Sequence, residues 1–236
     1  MKLKQLGVAF VCATALTLSA TTASAAVIVL DFEGLQSFES INNYYNGGFG
    51  GNGSGPGPNF GITFSGPSIA CRDFDTPDPA GCNFANEPTP NTIMFFLDEN
   101  QAIMNVAAGF DTGFALFFSA NPAVGDGLVT VYDGVNGTGN VLTTLVLDAD
   151  LTPQGGCGGG DPNGTYSCWA AVGVPFGGIA RSVKFAGSAN FIGFDNITFG
   201  AVTPTPRDPG TVPEPATMLL LGSGIGAGLI RRRARK

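Results

Sequence analysis

Asp31 and Glu33 stand two residues apart around Phe32, and Asp195 lies near the far end of the chain, in phase with Phe191, Ile197 and Phe199. Acids at i and i+2 of a strand project from one face. A carboxylate on an apolar face needs a cation or hydrogen-bond donors, because burying it unpaired is costly. Oxygen donors suit a hard cation, so Asp31, Glu33 and Asp195, with nearby carbonyls, are the candidate ligands of a structural Ca²⁺. The competing reading is a solvated or turn-capping carboxylate. Asp73, Asp75 and Asp78 form a second acidic cluster. There Pro77 and the missing Gly at the sixth place favour a solvated turn over a calcium loop.

Cys71 and Cys82 are eleven positions apart, and so are Cys157 and Cys168. Both pairs bracket loops containing Pro, Gly and Asp. Of the three connectivities four cysteines allow, this spacing favours Cys71–Cys82 with Cys157–Cys168, formed in an oxidising compartment. Zinc is the weaker alternative, since there is no CxxC and no histidine. Tyr44, Tyr45 and Trp169 are amphipathic aromatics in loop-like segments and are the candidate sugar-stacking residues. Packing in the core, or over the disulfide in the case of Trp169, is the alternative.

Some chemistry is excluded or weakened by composition. Without histidine there is no Ser-His-Asp or Cys-His system. A glycosidase needs two carboxylates about 5–9.5 Å apart across a cleft. The four glutamates between the chain ends, Glu33, Glu39, Glu87 and Glu99, form no alternating E-x-D-x-E strand motif. The chain is therefore expected not to be an enzyme, with a polysaccharide-acting hydrolase as the residual alternative. Between residues 26 and 211 only Arg72, Arg181, Lys184 and Arg207 oppose seventeen acids, a net charge of −13. That surface argues against a nucleic-acid partner.

The elements that must position these residues read as strands. Phe60, Ile62 and Phe64 alternate with small or polar residues, and Ile93, Phe95, Leu97 and Phe114, Leu116, Phe118 repeat the two-residue period. Val129–Tyr132 and Val141–Leu147 flank a Gly/Asn/Asp-rich loop and read as a hairpin. Ala170–Gly187 and Phe191–Phe199 complete the set, with no convincing 3.6-residue apolar period. Short strands with Gly/Pro turns indicate an all-β fold, an antiparallel β-sandwich. The Gly/Asn-rich segment 42–59 is expected to be a functional or mobile loop.

The ends carry routing information. Residues 1–25 read as a signal peptide: Lys2 and Lys4, an apolar run from Leu6 to Leu18, then Ala23-Ser24-Ala25 as the cleavage site. The β-sandwich ectodomain is assigned to 26–202 and a Pro-rich linker to 203–211. Residues 212–236 hold Pro213-Glu214-Pro215, an apolar stretch from Ala216 to Ile230 and a basic tail from Arg231. The stretch is expected as a single transmembrane sorting helix with its cations on the cytoplasmic side. Fifteen helical residues span only about 22 Å, so flanking residues or local thinning must complete the span.

This ordered trio resembles the PEP-CTERM sorting signal of Gram-negative bacteria. The resemblance implies export across the inner membrane, transient anchoring there, removal of the tail by an exosortase near Pro213-Glu214-Pro215, and a final place at the cell surface or outside it. Signal peptidase is the other implied processing partner. More loosely, Asp31-Phe32-Glu33, the VTVYDGVNGTGNVL run and FIGFDNITFG resemble secreted jelly-roll domains, similar in shape to carbohydrate-binding modules. The expected function is that of a non-catalytic structural component associated with exopolysaccharide or biofilm. The alternative is a glycan-binding, lectin-like module.

Overall fold

The computed structural model describes residues 27–73, 81–98, 101–154, 157 and 165–205. The signal peptide, Pro213-Glu214-Pro215 and the sorting helix lie outside the described residues, as do Asp75 and Asp78. Among the described residues no helix is long and apolar enough to cross a membrane.

Twelve strands are described: β1 (Ile28–Leu30), β2 (Glu39–Ser40), β3 (Ile62–Ser65), β4 (Ile69–Arg72), β5 (Thr92–Phe95), β6 (Gln101–Phe110), β7 (Gly113–Ala120), β8 (Gly127–Tyr132), β9 (Val141–Leu147), β10 (Ala170–Pro175), β11 (Ala180–Ala186) and β12 (Ile192–Phe199). One sheet runs β10-β7-β12-β5-β4-β2, with β1 also on β12; the other runs β3-β6-β11-β8-β9. Every strand pair is antiparallel. The fold is the all-β antiparallel sandwich expected from the two-residue period, jelly-roll-like as the resemblance implied. The β8–β9 hairpin pairs Val131 with Thr143 and closes through Asn136 and Gly137, both at positive φ.

The inward faces meet in a phenylalanine-rich core. Phe185 of β11 lies 6.1 Å from Phe114 of β7, tilted, and 5.1 Å from Phe194 of β12, edge to face, ring centre to ring centre, so the two sheets interlock through it. Each buried phenylalanine contributes roughly 1.5–3 kcal/mol by leaving water. A smaller apolar cluster, Cys71, Phe84, Ile93, Phe95 and Tyr166, sits apart from this core. Ile93 and Phe95 alternate along β5 with Met94 of the main core, which places the small cluster on the outer face of the seven-stranded sheet.

One side of β12 is shared. Its N-terminal part pairs with β5 at Gly193 and Phe194, and its C-terminal part pairs with β1 from Ile197 to Phe199. Between them Asn196 adopts φ 47°, and the register against β7 shifts from Asp195 to Thr198. This bulge inverts the alternation. Ile197 and Phe199 join Phe194 in the core, so the shared face expected for Asp195, Ile197 and Phe199 is not formed.

The segment 42–59 is tied down. Glu39 is fully buried; its carboxylate accepts from the N–H groups of Gln36 (2.8 Å), Asn52 (2.8 Å) and Ser54 (3.0 Å). Burial raises its pKa, but the bonds involving Ser54, Gln36 and Asn52 outweigh that and hold it below the usual carboxylate value. Gly50 has no room for a Cβ, which would fall 2.5 Å from the Glu39 carboxylate.

Candidate functional site

A cover lies across the outer face of the seven-stranded sheet. Cys82 is bonded to Cys71 of β4, and Cys157 to Cys168, the pairing favoured by the spacing. Isolated bridges join Asp73 to Cys82 and Phe84 to Tyr166. Phe84 stacks on Tyr166 at 4.8 Å and occupies the space a side chain at Gly193 would need. The Trp169 indole N–H donates to the Ala85 carbonyl at 2.9 Å, and its ring lies 6.0 Å from Phe84.

At the margin of this cover opens a cavity of about 420 Å³. Phe84, Phe95 and Tyr166 line it from within, and all three are buried. Its rim carries Phe38, 44% exposed, and Phe191, 36% exposed. Asn83 and Asn190 add two amides. Phe38 has φ 57°. A bulky side chain in the left-handed region costs about 1–3 kcal/mol, so its ring is presented against a backbone penalty. The Phe38 N–H donates to the Ala70 carbonyl at 2.8 Å, and its ring meets Phe95 edge-on at 6.0 Å.

The acids form a polar cluster under the same cover. Asp195, fully buried, accepts from the Thr89 N–H (2.9 Å), the Thr89 hydroxyl (2.9 Å) and the Asn196 N–H (2.7 Å). Burial, with the charge of Asp31 adding to it, pushes its pKa up to about 8. Glu33 accepts from the Thr92 N–H at 2.9 Å and the Thr92 hydroxyl at 3.3 Å. Burial first, then Asp31, raises it to about 7. β1 stops at Leu30 and Phe32 has φ 58°. Asp31 and Glu33 are therefore neighbours through a turn, with the Glu33 N–H donating to Asp31 Oδ1 at 3.3 Å, and not by projecting from a strand face.

Of the acids expected to hold calcium, Asp31 is close enough to repel both Glu33 and Asp195 electrostatically. Yet among the described residues no group of three or more His, Cys, Asp or Glu side chains is gathered for a metal ion. All three carboxylates are engaged by protein donors: Glu33 and Asp195 by threonine and backbone groups, Asp31 by the Glu33 N–H. Asn196 is fully buried; its Oδ1 accepts from the Thr89 hydroxyl at 3.3 Å, and its Nδ2 donor, which has no hydrogen-bond partner, calls for an acceptor and not a cation.

The sugar-stacking roles expected of Tyr44 and Tyr45 are corrected. Tyr45 is 1% exposed and its hydroxyl accepts from the Phe32 N–H at 2.6 Å; the buried Tyr44 donates to the Glu33 carbonyl at 2.9 Å. Both rings belong to the core beneath β3, leaving no face for a sugar. Trp169 packs behind the cavity against Phe84. The exposed aromatics at the cavity are Phe38 and Phe191. Phenylalanine in this chain signals core, and only the adjoining turn residues Ser37 and Asn190 hinted at exposure.

Residues 211–236 match the family described as the PEP-CTERM protein-sorting motif. The chain carries a PEP-CTERM sorting motif. No curated protein matches the sequence. Among solved structures, the chain is similar to the K2 cleaved adhesin domain of Lys-gingipain at 12% identity and TM-score 0.46, over 74% of this chain and 97% of that one. It is also similar to a family 6 carbohydrate-binding module at 14% identity and TM-score 0.34, over 59% and 92%. A Bacillus subtilis family 43 arabinoxylan arabinofuranohydrolase matches at 16% and 0.32, over 59% of this chain and 24% of its own length.

Proposed function

We propose that this PEP-CTERM protein is an exported, exosortase-processed, non-catalytic component of the cell surface or extracellular matrix, associated with exopolysaccharide. The sorting motif at residues 211–236 carries the reading. The non-catalytic part is supported by Glu39, whose carboxylate is taken up by three backbone N–H groups. Following the tagged full chain in fractions of the producing cells tests it. Processed protein should reach the surface or matrix, and exosortase loss should leave the chain in the inner membrane. Unprocessed protein at its final location overturns the reading. New reducing ends on incubation with matrix polysaccharide would favour the hydrolase alternative.

The lectin-like alternative is favoured by the aromatic cavity. It predicts that exopolysaccharide in a gel slows the oxidised chain.

We also propose that the polar cluster takes a hard divalent cation, held by Asp31, Glu33 and Asp195. The repulsion of Glu33 and Asp195 by Asp31 supports this, because a divalent cation bound by carboxylate oxygens would relieve it. Ca²⁺ should raise the melting temperature of the wild type and leave Asp195→Asn unchanged. No effect on the wild type overturns the proposal.

A further inference from the structure

We propose that the aromatic cavity at the edge of the disulfide-clamped cover binds a neutral pyranose unit, presented by a polysaccharide. The inference rests on the glycan-binding alternative above and assigns its site. A volume of about 420 Å³ falls in the range of about 300–1,000 Å³ typical of small-molecule pockets. Phe38 and Phe191 offer exposed ring faces at the mouth, where the C–H face of a sugar ring can stack. The side-chain amides of Asn83 and Asn190 have no hydrogen-bond partner among the described residues, and each can donate to and accept from hydroxyls. The lining contains no charged side chain. With a net charge of −13 between residues 26 and 211, the surroundings disfavour uronate, sulfate or phosphate polymers.

The site is preformed. Cys71–Cys82 fixes the cover to β4, the Phe38 N–H is held by Ala70, and the Asn190 N–H donates to the Phe96 carbonyl at 2.7 Å. Little ordering entropy is then left to lose on binding. A ring held at the mouth in a disfavoured backbone conformation is a feature that packing alone does not require.

The test uses the oxidised full chain in a detergent without sugar headgroups. Electrophoresis runs through gels containing dextran, laminarin, xylan or galactomannan, with alginate as the anionic comparison. At least one neutral polymer should retard the wild type more than alginate does. Phe191→Ala and Phe38→Gly should weaken that binding about fivefold or more. Glycine relieves the positive φ at position 38, so loss of the ring is read without added strain. Phe49→Ala, an exposed ring outside the lining, should bind as the wild type. The chain has one tryptophan, Trp169, packed on Phe84, so oligosaccharides of the retarding polymer should change its emission in the wild type and not in Phe191→Ala. Retardation that survives both substitutions overturns the cavity assignment and leaves the glycan-binding reading standing. No retardation by any polymer overturns both.

Discussion

The ring of Phe84 fills the space in which a side chain at Gly193 would stand. The cover therefore rests directly on the backbone of β12, and the outer cluster depends on a residue with no side chain. Gly193→Ala should displace a buried aromatic and destabilise the protein by about 1–3 kcal/mol. Urea unfolding of the oxidised protein measures it. An unchanged midpoint would mean the cover is not seated as described.

Glu39 should behave as a structural acid. In Glu39→Gln one amide oxygen and one NH₂ face three backbone donors, so at least one partly exposed N–H loses its bond to a carboxylate, at about 1 kcal/mol. The pKa of Glu39 is depressed, so its contribution is present above its ordinary value of 4.5 and fades as pH falls through the lower native value. Unfolding free energies of both proteins at pH 7 and pH 3 should therefore converge at the acid end. A constant difference would contradict this role.

Asp195 and Glu33 carry the opposite sign. Asp195 moves from 3.8 to about 8 and Glu33 from 4.5 to about 7. Over those windows the native state holds protons that the unfolded chain has released, so unfolding becomes easier as pH rises. Their contribution is complete below about pH 4 and lost by about pH 8. In chelator-treated protein, stability should decline from pH 5 to pH 8, and Asp195→Asn should flatten the decline. Identical slopes would refute the assignment. Bound Ca²⁺ should reverse the trend by favouring the ionised carboxylates.

Both disulfides close short loops, their cysteines eleven positions apart. In the chain-entropy model each contributes about 3 kcal/mol. Removing Cys71–Cys82 by paired Ala substitution should lower the melting temperature and also weaken the binding assigned to the cavity, which Cys82 lines. Removing Cys157–Cys168 should lower the melting temperature with a smaller effect on binding. Equal effects on binding would place the cavity's support elsewhere.

The sandwich was legible because its strands keep a two-residue period, and Phe114, Leu116 and Phe118 advertise the buried face of β7 without help from context. β6 was harder to read: its inward residues Ala102, Met104 and Val106 alternate with Ile103, which blurs the contrast. The cysteine pairs were legible because loop spacing is a local property. The site was not, because its parts meet only through the fold. Phe38, Phe84, Tyr166 and Phe191 lie on four separate segments, and a phenylalanine in sequence does not say whether it will be covered. Tyr44 and Tyr45 misled in the other direction: a glycine-rich neighbourhood implied exposure, whereas Gly57 lets the backbone close over the Tyr44 ring and Tyr45 packs in the core.

The pairing of Ile28 with Phe199 joins the first described strand to the last. A chain threaded through a membrane pore with its N-terminus leading would deliver β1 long before its partner. The seam at β12 could then close only after nearly all of the ectodomain had emerged. The cysteine loops, being local, need not wait. The order of strands thus delays completion of the sandwich until the end of passage, when the apolar tail at 216–230 is the part still to leave the pore.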